Sequence, residues 1–394
     1  MSDCSESDFD HHSDDFVADP YSQYRTLRSK CPVSFSSHHG GFWLLTKYAD
    51  VRRTLLAWET YSSGYPGRVA IPNTPREQSK PLIPIEVDPP LHGDYRAKVA
   101  PYFSKTSVAM LETTATELAH SIIDTFINDD NCELVKDFSE PFFSKLLAFF
   151  LKLPIEDSKH WIRWANAIFA RRLTHPDEAE QARNALTKYV EHLFEERRIS
   201  RTDDLFSALL DTRVNGKRLT NDELLGYGME ILLAGREATI DGISNAMAYL
   251  SQNKEAQKSI LEEKVDIETA IEEFLRWDSP IQLLGRVANR NVKLNGKDIA
   301  KGDSVAVSYA SANRDEQKFL EPDQCILDRT PNPHLAFGIG SHTCIGLHLA
   351  RLGLKVAITS LIQRLTPFYE DPILNAIRKP NGDARGFLLL PIRF

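Results

Sequence analysis

The stretch HLAFGIGSHTCIGLHLAR, residues 334–351, sets two glycines, a histidine and a single cysteine directly ahead of a helix-like pattern. A lone thiol there admits four chemistries. Gly338-x-Gly340 begins a dinucleotide-binding turn, but the third glycine would fall at 343, which is threonine, and no acidic ribose ligand follows about 20 residues on, so that reading fails. A zinc site would recruit His334, His342, Cys344 and His348; residues 344 and 348 are one helical turn apart, although the spacing matches no usual finger. A nucleophilic Cys344 would need a base and an orienting group, with histidines nearby as candidates. In the fourth reading Cys344 ligates haem iron. A thiolate pushes electron density onto iron and favours O–O cleavage. Glycines at 338, 340 and 346 would let the backbone approach a flat macrocycle and aim N–H groups at the sulfur. A cysteine at the N-terminal end of LHLARLGLKVAITSLI also sits beside the positive end of a helix dipole, which lowers a thiol pKa.

These residues need a large, ordered frame, and 394 residues supply one. A net charge of −8 gives no support to nucleic acid as a partner. The most apolar stretch, FFSKLLAFFLKLP, is interrupted by Lys145 and Lys152 and is shorter than the roughly 20 residues a membrane span requires, so no membrane association is expected. The first 19 residues hold seven acids and no Lys or Arg, unlike a signal peptide; a cytoplasmic protein is expected. Five scattered cysteines with no CxxC argue against a disulfide framework.

Residues 1–18 read as an acidic mobile tail, with order starting near Asp19-Pro20. GFWLLTKYADVRRTLL predicts a strand followed by a helix, and the Pro- and Gly-rich stretch from 61 to 90 a long functional loop. Helical periodicity dominates from about 92 to 280, and TNDELLGYGMEILLAGREATIDGISNAMAYL predicts one long central helix. Short strand-like runs follow: QLLGRVA, NVKLNG, SVAVSYA and FLLLPIRF. The expected fold is mainly α with a minor β portion, residues 19–394 forming one large domain.

FGIGSHTCIG resembles the haem-binding signature of the cytochrome P-450 family, Phe-Gly-x-Gly-x-His-x-Cys-x-Gly, and the similarity to the soluble bacterial branch extends from DPYSQYRTLR to the closing strands. The resemblance implies a P-450 fold with a long central helix over haem b, Cys344 as the iron ligand, and Phe337, Gly338 and Gly346 in the cofactor loop. It further implies that His92 and Arg96 of VDPPLHGDYRAKV, Arg286 of LLGRVA and His342 hold the haem propionates. Glu273-x-x-Arg276 resembles the family's buried Glu-x-x-Arg pair. The third partner of that pair normally comes from the stretch here reading FLEPDQCILDRTPNP, where Gln324 and Cys325 replace the usual arginine and phenylalanine; Arg329 is the candidate substitute.

The central helix departs from the family pattern. In LLAGREATID the small-Gly-x-acid-Thr sequence becomes Ala234, Gly235, Arg236, Glu237 and Ala238, so the usual hydroxyl is missing. Thr239 is one residue on and about 100° round the helix. Period 3.6 puts Ile231, Ala234, Gly235, Ala238, Gly242 and Asn245 on one face, toward the haem pocket, with Arg236 opposite as a structural or surface charge. Glu237 is the expected proton carrier, with Gly235 and Ala238 as the floor of the oxygen site.

By this resemblance the protein oxidises a small organic substrate with dioxygen and two electrons, which come from separate proteins, a ferredoxin and ferredoxin reductase. Ile281, Leu283, Leu284 and Phe387 are expected in a partly apolar substrate pocket. Lys98, Lys105, His348 and Arg351 are a candidate docking face. Peroxide-driven oxidation, radical coupling and a non-catalytic haem-thiolate sensor are the alternatives.

Overall fold

A computed structural model describes residues 9–71 and 80–394. The elements that matter for the site are, in chain order, helix α1 (Asp14–Ala18), strands β1 (Val33–Ser36), β2 (Phe42–Leu45) and β3 (Tyr61–Ser62), and helices α2 (Leu91–Val99), α3 (Glu140–Leu151) and α4 (Pro176–Ile199). Then come α5 (Asn221–Ala234), α6 (Glu237–Ser251), α7 (Ile267–Trp277), β4 (Leu283–Ala288), β5 (Ser304–Ser308), α8 (Leu347–Leu365), β6 (Ile377–Arg378) and β7 (Phe387–Leu389).

Helices build most of the molecule. Phe142, Phe143 and Leu147 of α3, Ile243 and Met247 of α6, and Leu354 and Ile358 of α8 share one continuous core. Gly353 marks a close crossing, where a Cβ would lie 2.5 Å from the Phe143 ring. A five-stranded sheet in the order β1-β2-β5-β4-β3 flanks this body. β1 and β2 are antiparallel (Val33 opposite Leu45), β2 and β5 parallel (Trp43 opposite Val305), and β5 and β4 antiparallel (Ala306 opposite Gly285). The fully buried runs Leu44–Leu45 and 304–308 suit strands covered on both faces.

Two expectations change. Residues 1–8 of the expected tail lie outside the described residues, but order begins by Phe9, not at Asp19. Ser13 caps α1 by accepting from Phe16 N–H, and Phe9, His11 and Phe16 are buried. The apolar pair Phe9 and Phe16, packed edge to face and against Phe42 and Tyr24, outweighs the acidic composition around it. The central helix is also two helices. A capping box of Thr220 and Glu223 starts α5, which ends at Gly235; Arg236, at φ −125° and ψ −57°, breaks the ladder before α6. No helix among the described residues is long and apolar enough to cross a membrane.

Candidate active site

The loop before α8 turns at Gly338 (φ +67°) and Gly340 (φ +81°), where side chains are disfavoured. These turns let Cys344 N–H donate to Phe337 O at 2.8 Å, while Gly346 N–H faces the Cys344 sulfur. A Cβ at Gly340 would come within 3.0 Å of Leu56. The loop hangs from α7: His334 Nε2 meets Glu272 at 3.0 Å and Arg351 reaches the same carboxylate at 2.6 and 2.7 Å. Arg351 also lies 4.8 Å from the Phe337 ring centre. The sulfur is enclosed by protein yet retains accessible surface, so it borders an internal cavity. Burial raises the thiol pKa against the lowering influence of Gly346 N–H and Arg96, so the helix dipole does not decide its charge. Metal coordination deprotonates such a thiol outright.

Near the sulfur, four donors from three segments converge: His92 and Arg96 on α2, Arg286 on β4 and His342 in the loop before α8. The His92 and His342 rings lie 4.2 Å apart between centres with their planes tilted by 48°, and Arg96 and Arg286 both act on His342. Burial first, then Arg286, His92 and Arg96, push the His342 pKa down to about 3; burial and Arg96 push His92 to about 4. His342 Nε2 is buried without a hydrogen-bond partner. Two guanidiniums with two neutral imidazoles beside them could hold a dianion, which is what paired propionates are. The zinc reading does not survive, because His334 is turned to Glu272 and His342 to His92.

On the opposite wall Ala234, Gly235 and Ala238 keep accessible surface while their helical neighbours are buried. The pocket face ends there. Gly242 packs on Leu354, Leu275 and Pro280, and Asn245 bonds the carbonyls of Asp278 and Arg385, so neither lines the cavity. Thr239 packs toward Gly353, away from it. Glu230, unremarked in the sequence, is enclosed by protein near the sulfur; burial and then Glu86 raise its pKa to about 8. A carboxylate inside the apolar run MEILLAG was the signal available for it.

Arg236 is not a surface charge. It is 1% exposed and donates to Ser144 Oγ at 3.1 Å and to Glu237 at 2.8 Å. Glu237 also pairs with Lys379, which lies 2.6 Å from Asp241. All three are buried. Burial opposes ionisation of Glu237, but Lys379 and Arg236 prevail and lower its pKa; Asp241 titrates up at about 6, mainly through burial. Lys379 and Asp241 were not foreseen, since Lys379 comes from the turn after β6, 142 residues from Glu237.

Glu273 and Arg276 are fully buried and bidentate at 2.7 and 2.8 Å. Arg276 donates to the carbonyls of Asn313, Pro322 and Gln324, and Arg329 Nε lies 3.1 Å from both Glu273 oxygens. Backbone carbonyls and Arg329 thus close the network that Gln324 and Cys325 left open.

The substrate-pocket expectations divide. Ile281 and Leu284 keep accessible surface. Leu283 does not: strand alternation turns it to the other face of β4, among Phe42, Leu44 and Ala306. Phe387 is buried beneath the Arg378 guanidinium, 3.7 Å from its ring centre, and is covered rather than pocket-lining.

A sulfur-bearing loop facing a helix break, beside a dianion receptor, defines a haem-thiolate site. Comparison with known proteins agrees. The cytochrome P450 family model matches residues 116–391. Cytochrome P450 109 of Bacillus spizizenii is 32% identical, the match covering 97% of this chain and 93% of that one. The methyl-branched lipid omega-hydroxylase of Mycobacterium bovis is 32% identical over 89% of this chain and 86% of its own. CYP109E1 from Bacillus megaterium, solved in complex with testosterone, superposes with a TM-score of 0.88 at 28% identity, covering 97% and 99% of the two chains. The chain belongs to the cytochrome P450 family. It is a monooxygenase, an oxidoreductase whose cofactor is haem b.

Proposed function

We propose that this enzyme hydroxylates, or oxidises in a related way, a largely apolar organic molecule that carries a polar group, and that this group helps organise proton supply. Bound haem supplies the redox chemistry, reductive activation of dioxygen and transfer of one oxygen atom to the substrate. Cys344 would hold the iron; His92, Arg96, Arg286 and His342 would hold the propionates.

The observation that carries the reading is the wall of Ala234, Gly235 and Ala238, which offers no hydroxyl while Thr239 faces Gly353. An ordered water there needs other partners. A hydroxyl or amine of the substrate, with Glu230 as its anchor, supplies them. Glu237 and Asp241 share Lys379 and form the proton store behind this wall; a carboxyl near pH 6 is better matched to proton exchange than one held fully ionised. A lipid hydroxylase and a testosterone complex among the relatives support an apolar substrate, and Ile281 and Leu284 suit one. Electrons arrive from a separate ferredoxin and its reductase in the cytoplasm.

The test is product formed per NADH consumed in Ala238→Thr. With a substrate that supplies its own hydroxyl the ratio falls or product shifts, because the new side chain displaces the ordered group; with a deoxy analogue it rises. An unchanged ratio with both overturns substrate assistance. Activity with hydrogen peroxide equal to that with the redox partners would favour the peroxide-driven alternative.

A further inference from the structure

Outside the site described above, three imidazoles meet beside the docked N-terminal segment. His11 and His12 come from that segment and His39 from the turn after β1; their ring centres lie 3.9 to 5.2 Å apart. One nitrogen from each lies within 4.8 Å of the other two. We propose that His11, His12 and His39 form a binding site for a divalent cation of the zinc class, which fastens the N-terminal segment to the turn that carries Lys379.

The hydrogen bonding leaves lone pairs to offer. His11 is fully buried; its Nε2 lies 3.2 Å from Ile71 O, while its Nδ1 has no partner. His39 Nε2 lies 2.7 Å from Asp10 Oδ1. His11 and His39 are thus anchored through Nε2 on a carbonyl or carboxylate oxygen, which leaves Nδ1 to ligate, the arrangement that orients metal-binding histidines; His12 accepts from Gly382 N–H at Nδ1 and would ligate through Nε2 by giving up Ile71 O. Ile71 O is oversubscribed. Besides His11 it faces His12 Nε2 at 2.8 Å and Arg172 at 3.1 Å, three nitrogens for two lone pairs. A cation would relieve that competition by taking one imidazole.

The local surroundings favour a positive guest. His11 is fully buried, so water does not compete for its unpartnered Nδ1. Asp10 accepts from His12 N–H at 2.9 Å as well as from His39, and its other oxygen lies 3.7 Å from His38. Asp383 pairs with Arg172 at the opposite rim. Zinc takes imidazole nitrogens at about 2.0–2.1 Å, with a carboxylate or water as the fourth ligand. Asp10 or a water completes that set after side-chain rotation draws the nitrogens in.

Such a clamp would reach the chemistry through one turn. His12 Nδ1 accepts from Gly382 N–H at 3.1 Å, three residues beyond Lys379, whose ammonium holds Glu237 and Asp241. Zinc would therefore fix the N-terminal segment, Ile71 and the 379–383 turn as one unit.

The experiment uses the full-length, haem-loaded enzyme without a polyhistidine tag, stripped with a chelator and titrated with zinc chloride by calorimetry. One zinc per haem is expected, with affinity reduced at least tenfold in His39→Ala, whose half-buried ring can be removed without opening the core. His11→Asn should behave alike, and the ferrous carbonyl spectrum reports whether each variant is folded. Zinc K-edge absorption of the wild type, which needs no variant, should show three imidazoles and no sulfur. Binding below one equivalent, undiminished affinity in folded His39→Ala, or sulfur in the zinc shell overturns the site.

Discussion

Single residues here draw their roles from the charges set around them. Glu272 is the clearest case. Burial raises its carboxyl, but hydrogen bonds from Arg351 and His334 outweigh burial and hold the pKa at about 2, against 4.5 for the free group. A depressed carboxyl contributes stability that is complete above pH 4.5 and is lost as pH falls toward 2. That contribution is about 3 kcal/mol at neutral pH. Urea unfolding of Glu272→Gln should therefore show a loss of that order at pH 7, and a difference from wild type that shrinks below pH 4.5. Lys379 is the second case. Removing one member of a buried ion network costs about 3–5 kcal/mol, because the carboxylates it served stay behind. Lys379→Met should destabilise by that amount, and Lys379→Met with Asp241→Asn should recover part of it; two additive losses would mean the groups do not interact. Cys344, His342 and Arg96 were legible because their chemistry lies within short motifs. Glu272, Asp241 and Lys379 were not, because each acquires meaning only from a partner tens or hundreds of residues away.

At the scale of elements, the break between α5 and α6 is what the sequence hid. Nothing from Thr220 to Leu250 contains proline, and the periodic apolar pattern runs straight through. The interruption comes from tertiary demand: Arg236 leaves helical geometry while its guanidinium bonds Ser144 on α3 and Glu237 on α6. Gly235 permits the turn before it, where a Cβ would lie 2.4 Å from Ile231 O. That neighbour is backbone and has no rotamer to change. Gly235→Ala should cost about 1–3 kcal/mol in unfolding free energy, as overpacking does. It should also alter the substrate-induced spin-state change, since Ala234 and Ala238 bracket the same wall. A variant with wild-type stability and an unchanged spectrum would show that the break tolerates a side chain. Strand positions were legible from alternation and turn residues, whereas the docking of residues 9–18 was not, because two aromatic rings outweighed an acidic background.

For the molecule as a whole, charge distribution bears on the proposal that electrons come from a separate ferredoxin. The net charge of −8 repels an acidic redox protein at long range, so productive encounter needs a local face of the other sign. Arg351 is half committed to Glu272 and Phe337, which removes it from the expected set. Lys98 and Lys105 remain exposed, and His348 sits close enough to Lys105 and Arg351 for both to lower its pKa after burial. Lys105 lies at the start of the short helix Lys105–Ala109, which packs on α8, the helix that follows Cys344. Steered association weakens as salt shortens the Debye length to about 8 Å at physiological ionic strength. The second-order rate of haem reduction by a ferredoxin should therefore fall with added salt. Lys98→Glu with Lys105→Glu should lower it at least tenfold at low salt while leaving the spectrum and substrate affinity intact. Most of that deficit should vanish at high ionic strength, where charges on this scale are screened. A reduction rate indifferent both to salt and to the double charge reversal would place electron entry on another surface of the molecule.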